Sequence, residues 1–340
     1  MLALKVPLKD AERARKDIVE RGLFQQGYKA VKEDGHLYLP VKERFDTSYE
    51  FEERDLPGQQ ERPKSLREAL EGKLSPEVLE RLKTAYDQVG DIAILEVDED
   101  LKQYDEVIGV TLLETNPRVS TVLAKDASHE GTYRTQKMRL LAGEDKRVTF
   151  HKENGVTLEV DVEDVYFSVR LSTERKRIMN LMEPGERVLV MFSGCGPYTC
   201  VLSKNTRASE VVGVEINPRG HELARKNIRR NKLSNATTHV GDAREVVPTL
   251  VTEKGGFDRI LMPLPKGAET FLDVALKAAN DTATIHLYTF LHEDEVDKAY
   301  TWIREACEAA SVGCDVRETV RCGQQAPHVY RYCVDFVTNK

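Results

Sequence analysis

The chain has 340 residues, 40% hydrophobic and 31% charged, with a net charge of −7. It is long enough for two or three domains with real cores, and its balance excludes a disordered, fibrous or uniformly basic protein. No apolar run approaches the ~20 residues of a membrane span, Met1–Lys9 lacks a signal peptide's apolar stretch, and six scattered cysteines without a Cys-x-x-Cys pair argue against a zinc site or disulfide framework and for a cytoplasmic setting.

Residues 1–55 read as a strand (Leu2–Val6), a helix (Ala11–Gly22) and a hairpin turning at Asp34-Gly35, a small α/β module. Leu56–Lys64, with Pro57, Gly58 and Pro63, reads as a linker, placed at 56–66. A second part, 67–163, opens with helical segments at Ser65–Gly72 and Ser75–Gln88, the latter starting at Ser75-Pro76. Strands follow at Asp91–Val97, Val119–Ala124, Arg147–His151 and Val156–Val162, the last two joined by the hairpin signal Asn154-Gly155. From Asp164 to 340, strands at 188–193, 210–216, 257–262 and 283–290 alternate with helices near 219–232, 267–280 and 293–310, and His328–Val337 is strand-like. That alternation predicts a mostly parallel sheet with crossover helices, preceded by an α/β module and an α+β domain. Basic residues cluster at Arg219–Lys232, at Arg170 with Arg175, Lys176 and Arg177, and at Arg134 with Lys137 and Arg139. Each can be a solvated face or a nucleic-acid stripe.

Three strand ends in the last part carry chemistry. Val188–Phe192 runs into Gly194-Cys195-Gly196, a tight turn that lets backbone approach a ligand. Cys195 is expected to pack there rather than to react. Glu215 ends the next strand, where a carboxylate can accept from both ribose hydroxyls. Asp242 follows a third strand and can accept from an adenine amino group. Together they resemble the S-adenosylmethionine (SAM) pocket of a Rossmann-type methyltransferase. A fourth segment, Pro263-Leu264-Pro265-Lys266, lies where such enzymes hold the group being methylated.

The run Leu140–Glu144, then Thr149-Phe-His-Lys-Glu-Asn-Gly155, then Asp164-Val-Tyr-Phe-Ser168 with Arg170, Leu171, Glu174 and Arg175, resembles the archaeal tRNA guanine-37 N1-methyltransferases of the Rossmann-type class, over the whole chain. The resemblance implies an enzyme that grips tRNA through its first two parts and methylates guanosine 37 with SAM. It places Glu174 as general base and Arg134 at the guanine oxygen. It puts Tyr166, Arg175, Phe192, Gly194, Gly196, Glu215, Ile216, Asp242, Ala243, Pro263 and Pro265 around the cofactor. Read without it, Glu174 is a helix-surface partner of Arg170 or Arg177. The expected partner is tRNA, with no membrane and no metal, and the expected state is a monomer. Two positions depart from the family pattern, Pro263 for Asn and Val190 for Asp. The first points to the wyosine branch, some of which also methylates C7 of 4-demethylwyosine to give isowyosine. The second suggests an acidic contact near the SAM amino group that is missing or supplied from elsewhere. Two alternatives stand beside this reading: transfer of the SAM aminocarboxypropyl group, and non-catalytic tRNA binding by a degenerate SAM fold.

Overall fold

The computed structural model describes residues 1–58, 63, 65–126 and 131–340. It divides into two units, Met1–Ala69 and Leu70–Lys340. In the first, β1 (Leu2–Pro7), α1 (Ala11–Glu20), β2 (Val31–Glu33), β3 (His36–Pro40) and β4 (Glu50–Glu53) build an antiparallel sheet, order β2-β3-β1-β4, covered by the helix. Leu4 and Val6 of β1 meet Ala14 and Ile18 of α1 and Leu39 of β3 in its core. The expected turn holds Asp34 at φ 46° and Gly35 at φ 77°, the backbone that a two-residue hairpin of this sequence needs. Of the expected linker, residues 59–62 and 64 lie outside the described residues.

The chain crosses between the units within α2 (Leu66–Leu70). Next come α3 (Pro76–Arg81), β5 (Tyr86–Val89), β6 (Ile92–Leu95), α4 (Asp105–Thr115), β7 (Thr121–Lys125) and β8 (Met138–Gly143), whose strands pair in the order β5-β6-β7-β8. The helix expected to continue to Gln88 stops at Arg81. Residues 86–89 instead pair antiparallel with 92–95 across Gly90-Asp91, with Gly90 at φ 57°. A glycine first in a two-residue turn sets a hairpin, and the cross-strand pairs it creates outweigh a weak helix propensity. Helix α4 packs on β8 through Gly109, where a Cβ would lie 2.8 Å from the Cβ of Ala142 and from Leu141. The hairpin of β9 (Val148–Glu153) and β10 (Val156–Asp161) turns at Asn154-Gly155 as expected.

The rest alternates: α5 (Ser172–Asn180), β11 (Arg187–Met191), α6 (Pro197–Asn205), β12 (Glu210–Glu215), α7 (Pro218–Arg230), β13 (Ala236–Val240), α8 (Ala243–Lys254), β14 (Phe257–Met262), α9 (Leu272–Ala278), β15 (Ala279–His292), α10 (Asp297–Ala309), β16 (Gly313–Ala326) and β17 (Val329–Asn339). The seven strands pair in the order β13-β12-β11-β14-β15-β17-β16. Five are parallel, and β17 and β16 add an antiparallel end. The parallel strands are buried on both faces, as crossover helices require. Leu189 and Met191 of β11 join the core that includes Ile260 and Leu287, while Val188 and Val190 join the one on the other face with Ile178 and Tyr288. The strand order reverses between β11 and β14, and open α/β sheets place ligands at such a switch point. Among the described residues no helix is long and apolar enough to cross a membrane.

Because α4 meets β8 backbone at Gly109, Gly109→Val is expected to cost about 1–3 kcal/mol by overpacking. Urea unfolding monitored by far-ultraviolet circular dichroism measures it, and an unchanged midpoint would mean that the helix moves away without cost.

Candidate active site

A cavity of about 380 Å³ opens at the carboxyl ends of β11, β12 and β13. Its walls include Tyr166, Arg175, Phe192, Gly194, Glu215, Ile216, Asp242, Ala243, Pro263 and Pro265, with Arg134 at its edge. Of the residues named from the sequence, Gly196 and Glu174 do not line it. Gly196 has φ 82° and precedes α6, and a Cβ there would lie 3.2 Å from the Cβ of Ala224. Its smallness serves the turn and the packing of α6 against α7. Gly194 is the turn residue that faces the cavity.

Glu215 holds the turn in place. Its carboxylate accepts from the Gly194 amide at 2.5 Å and the Asn217 amide at 2.8 Å. Burial pushes its pKa above the ordinary carboxylate value, opposed by these amide donors. A carboxylate has about four acceptor positions, so with the Ile216 amide also acting on it, acceptor capacity remains for a ligand hydroxyl. Asp242 caps α8 by accepting from the Arg244 amide at 2.8 Å. Phe192, at φ 59°, meets Phe271 edge-to-face at 4.9 Å, and the Arg244 guanidinium lies over Phe271 at 3.6 Å. A left-handed non-glycine backbone is costly, and such strain gathers at functional sites. Phe271 and Arg244 carry no motif signal and escaped the sequence reading. The acceptors, the exposed turn and the aromatic wall suit a nucleoside.

Arg175 is 1% exposed and forks onto Glu153 of β9, Nε at 2.5 Å and Nη2 at 2.6 Å, with a further bond from Nη2 to the Ser168 carbonyl at 3.1 Å. Its guanidinium is engaged by protein, so it shapes the cavity wall rather than offering free donors. Cys195 is buried, and burial pushes its thiol up to about 12, so it packs as expected. Val190 lies in the core and does not line the cavity.

Glu174 is buried behind the wall. Arg177 forks onto it at 2.7 and 2.8 Å, and the Tyr288 hydroxyl donates to it at 2.8 Å. Tyr198, which lines the cavity, donates to the Tyr288 hydroxyl at 3.0 Å. Burial pushes both tyrosines well above their ordinary values, so they stay protonated. The pairing with Arg177 is the one the helix spacing alone suggests, but in the core rather than on a surface.

Behind Arg177 lies a chain of charges. Arg177 donates to Asp335 at 2.6 Å, His286 Nδ1 lies 2.6 Å from Asp335, and Arg259 donates to His286 Nε2 at 2.8 Å. An arginine can only donate, so Nε2 accepts and Nδ1 carries the proton toward Asp335. Burial, with Asp335 opposing it, lowers the His286 pKa. Donor atoms of His286, Cys333 and Asp335 lie within 4.8 Å of one another. Both ring nitrogens of His286 are already engaged and two guanidiniums flank the group, which suits an ion network rather than a metal cage.

A second cavity, of about 620 Å³, shares Arg134, Tyr166, Phe167 and Pro265 with the first. Val89, Ile94 and Met138 of the β5–β8 sheet, with Phe290 and Arg331 of the β15–β17 pair, form its other walls. The Arg134 Nη2 donates to the Lys266 carbonyl at 2.7 Å, and burial lowers its pKa, with Arg331 adding to the effect.

Residues 149–316 match the TRM5/TYW2 methyltransferase domain, 66–146 the TYW2 N-terminal domain and 3–50 the tRNA methyltransferase 5 N-terminal domain. A tRNA (guanine(37)-N(1))-methyltransferase Trm5b of Pyrococcus abyssi is 38% identical over 341 residues, 98% of each chain. The chain belongs to the Trm5/TYW2 methyltransferase family. The crystal structure of the Pyrococcus abyssi Trm5b superposes with a TM-score of 0.77 at 36% identity, covering all of both chains. The complex of aTrm5 with tRNALeu superposes with a TM-score of 0.73 at 32% identity, again covering both in full. The tRNA (guanine(37)-N(1))/4-demethylwyosine(37)-methyltransferase Taw22 of Nanoarchaeum equitans is 31% identical over 275 residues, 67% of this chain and 90% of its own.

Replacing Glu215 by Ala removes a buried charged acceptor and loosens the glycine turn. Charge-assisted hydrogen bonds contribute about 1.5–3 kcal/mol each, so SAM should bind roughly ten- to a hundredfold more weakly by calorimetry. Unchanged affinity would place the ribose elsewhere.

Proposed function

We propose that this chain transfers a methyl group from SAM to N1 of guanosine 37 in tRNA. The observation that carries the reading is the pair of adjoining cavities: one lined by nucleoside-binding strand ends, the other by apolar walls and guanidiniums, meeting at Arg134, Tyr166 and Pro265. The relatives named for this reaction add to it. SAM supplies an electrophilic methyl. The protein must bring a poor nucleophile, the protonated N1 of guanine, to it.

The cavity walls position the base in line, which supplies much of the rate. Arg134, tied to the loop at Lys266, faces the guanine oxygen. Glu174 takes the N1 proton. Because Glu174 lies behind the wall, that proton travels over the hydroxyls of Tyr198 and Tyr288, which already donate in this direction. Pro263 and Pro265 give a rigid apolar edge. With the width of the second cavity, that edge supports a tricyclic base as a further substrate. One chain supplies all these groups, and we assign the protein as a monomer with no role for a metal. Residues 1–55 and 67–163 are assigned to holding tRNA, and 164–340 to the chemistry.

Mass spectrometry of nucleosides tests this on two substrates, a transcript with guanosine at 37 and a tRNA carrying 4-demethylwyosine. 1-Methylguanosine from the first is the expected product, and product from the second marks a dual enzyme. No product from either, with SAM still bound, would sink the reading. Glu174→Gln should slow N1 methylation ~100-fold or more while SAM affinity stays close to wild type. Tyr288→Phe should lower the rate in the same sense. A normal rate for Glu174→Gln would remove Glu174 as the base.

A further inference from the structure

Arg331 lies on β17, beside Phe290 of β15 and facing the second cavity. It is 7% exposed. Its Nη2 donates to the Tyr166 hydroxyl at 2.7 Å, and its guanidinium lies 4.9 Å from the centre of the Phe290 ring. Among the described residues its Nε is buried without a hydrogen-bond partner, and no carboxylate pairs with it. A buried cation without an anion is expensive, and an unpaired donor adds to the cost. Such a group calls for an explanation, and a catalytic role is one.

The surroundings say what the ligand is. The acidic groups on the cavity are already neutralised: Asp87 by Arg170 at 2.8 Å and Glu96 by Lys125 at 2.6 Å. Lys266 and Arg134 add positive charge. Cys322, whose thiol burial pushes up to about 12, adds no negative charge. Apolar walls from Val89, Ile94 and Met138 exclude a strongly hydrated phosphate and favour a flat base. The site is positive where a nucleobase lies, so it favours a base carrying negative charge.

We propose that Arg331 donates to the oxygen of the target base and, with Arg134, stabilises the anion formed when N1 loses its proton. The proposal rests on the methyltransferase reading above. In the step, the N1–H bond breaks and its proton goes to the base. The electron pair left on N1 is shared with O6, where the two guanidiniums meet it, and forms the N1–methyl bond as the sulfonium–carbon bond breaks. Arg331 thus acts on the ionisation of the substrate N1.

Single-turnover methyl transfer to a guanosine-37 transcript, followed from pH 6 to 9.5 on the full chain, tests it. Arg331→Ala should lower the rate ~100- to 1000-fold, the size of losing one oxyanion donor. It should also move the alkaline rise of the rate to higher pH, with SAM affinity unchanged. Arg331→Lys keeps the charge without the fork and should recover part of both. Tyr166→Phe removes the hydroxyl that Arg331 holds and should leave the pH limb in place. If Tyr166→Phe shifts that limb as Arg331→Ala does, Arg331 acts only through Tyr166, and the assignment fails. It fails too if Arg331→Ala raises only the KM for tRNA with an unmoved pH profile, which would put Arg331 on the RNA backbone. Wild-type protein that yields no 1-methylguanosine would instead sink the methyltransferase reading itself.

Discussion

The buried fork of Arg175 onto Glu153 is the interaction on which the site depends. It joins the β9–β10 hairpin to α5, the helix that also carries Glu174 and Arg177. Breaking a buried pair by removing one partner typically costs 3–5 kcal/mol, because the other charge is left uncompensated. Further bonds fix the same hairpin. Asn154 donates to the Ser172 carbonyl at 3.0 Å, while Asn227 on α7 and Asn231 just after it bond to the backbone of Glu159 and Thr157 on β10. The run His-Lys-Glu-Asn-Gly is therefore a clamp. It holds the segment from Tyr166 to Arg175 against the cavity, and Arg175 forms the cavity's floor without having to bind the ligand through charge.

A second buried network orders the opposite side. Glu174, Arg177, Asp335, His286, Arg259 and Glu186 form an alternating chain from α5 through β17, β15 and β14 to the loop before β11. Burial alone would neutralise these groups. Alternation makes each charge the partner of the next, which is the condition under which buried ions persist. His286 is neutral here, so its ring joins Asp335 to Arg259 as a dipole rather than as a cation. The chain anchors Arg177, and Arg177 keeps Glu174 behind the wall. In the proposed reaction, a proton passing from N1 to Glu174 then has the two tyrosine hydroxyls as its path.

The legible part of this molecule was its local chemistry. Gly194, Glu215 and Asp242 each end a strand, and a strand end in a parallel sheet has only one place to go, the mouth of the switch point. Asp34-Gly35 and Asn154-Gly155 each specify a hairpin through their own backbone. Where reading failed, the deciding contact was distant. Residues 86–89 look helical until β6 pairs with them. Helix α4 has no clear amphipathic stripe because it buries a small and a polar residue, Gly109 and Thr111, along with Ile108 and Leu112. Glu174 resembles a surface residue until Tyr288, more than a hundred positions on, reaches it. Nothing near Arg331 in the sequence marks it, since its neighbours Tyr166 and Phe290 arrive through tertiary packing. A fold written in strand ends and turns can be read from short segments, whereas a buried charge network cannot.

The charges of the two cavities differ in a way that suits group transfer. Carboxylates, Glu215 and Asp242, line the first, where Arg244 lies beside Asp242, and the guanidinium of Arg331 lines the second, with Arg134 shared where the two meet. A donor that carries positive charge is attracted to the first. An acceptor that reacts best as an anion is attracted to the second. A further unpaired cation at the first cavity would repel the donor, and unpaired carboxylates at the second would raise the cost of removing the N1 proton. Arg175 and Arg177 are kept out of this contrast because Glu153 and Glu174 neutralise them. Among the described residues of the second cavity, Arg170 and Lys125 are paired with Asp87 and Glu96, so the field at the acceptor comes chiefly from Arg134 and Arg331, with Lys266 at the rim. Low-dielectric walls of Val89, Ile94 and Met138 let that field act over the short distance from the base oxygen to N1.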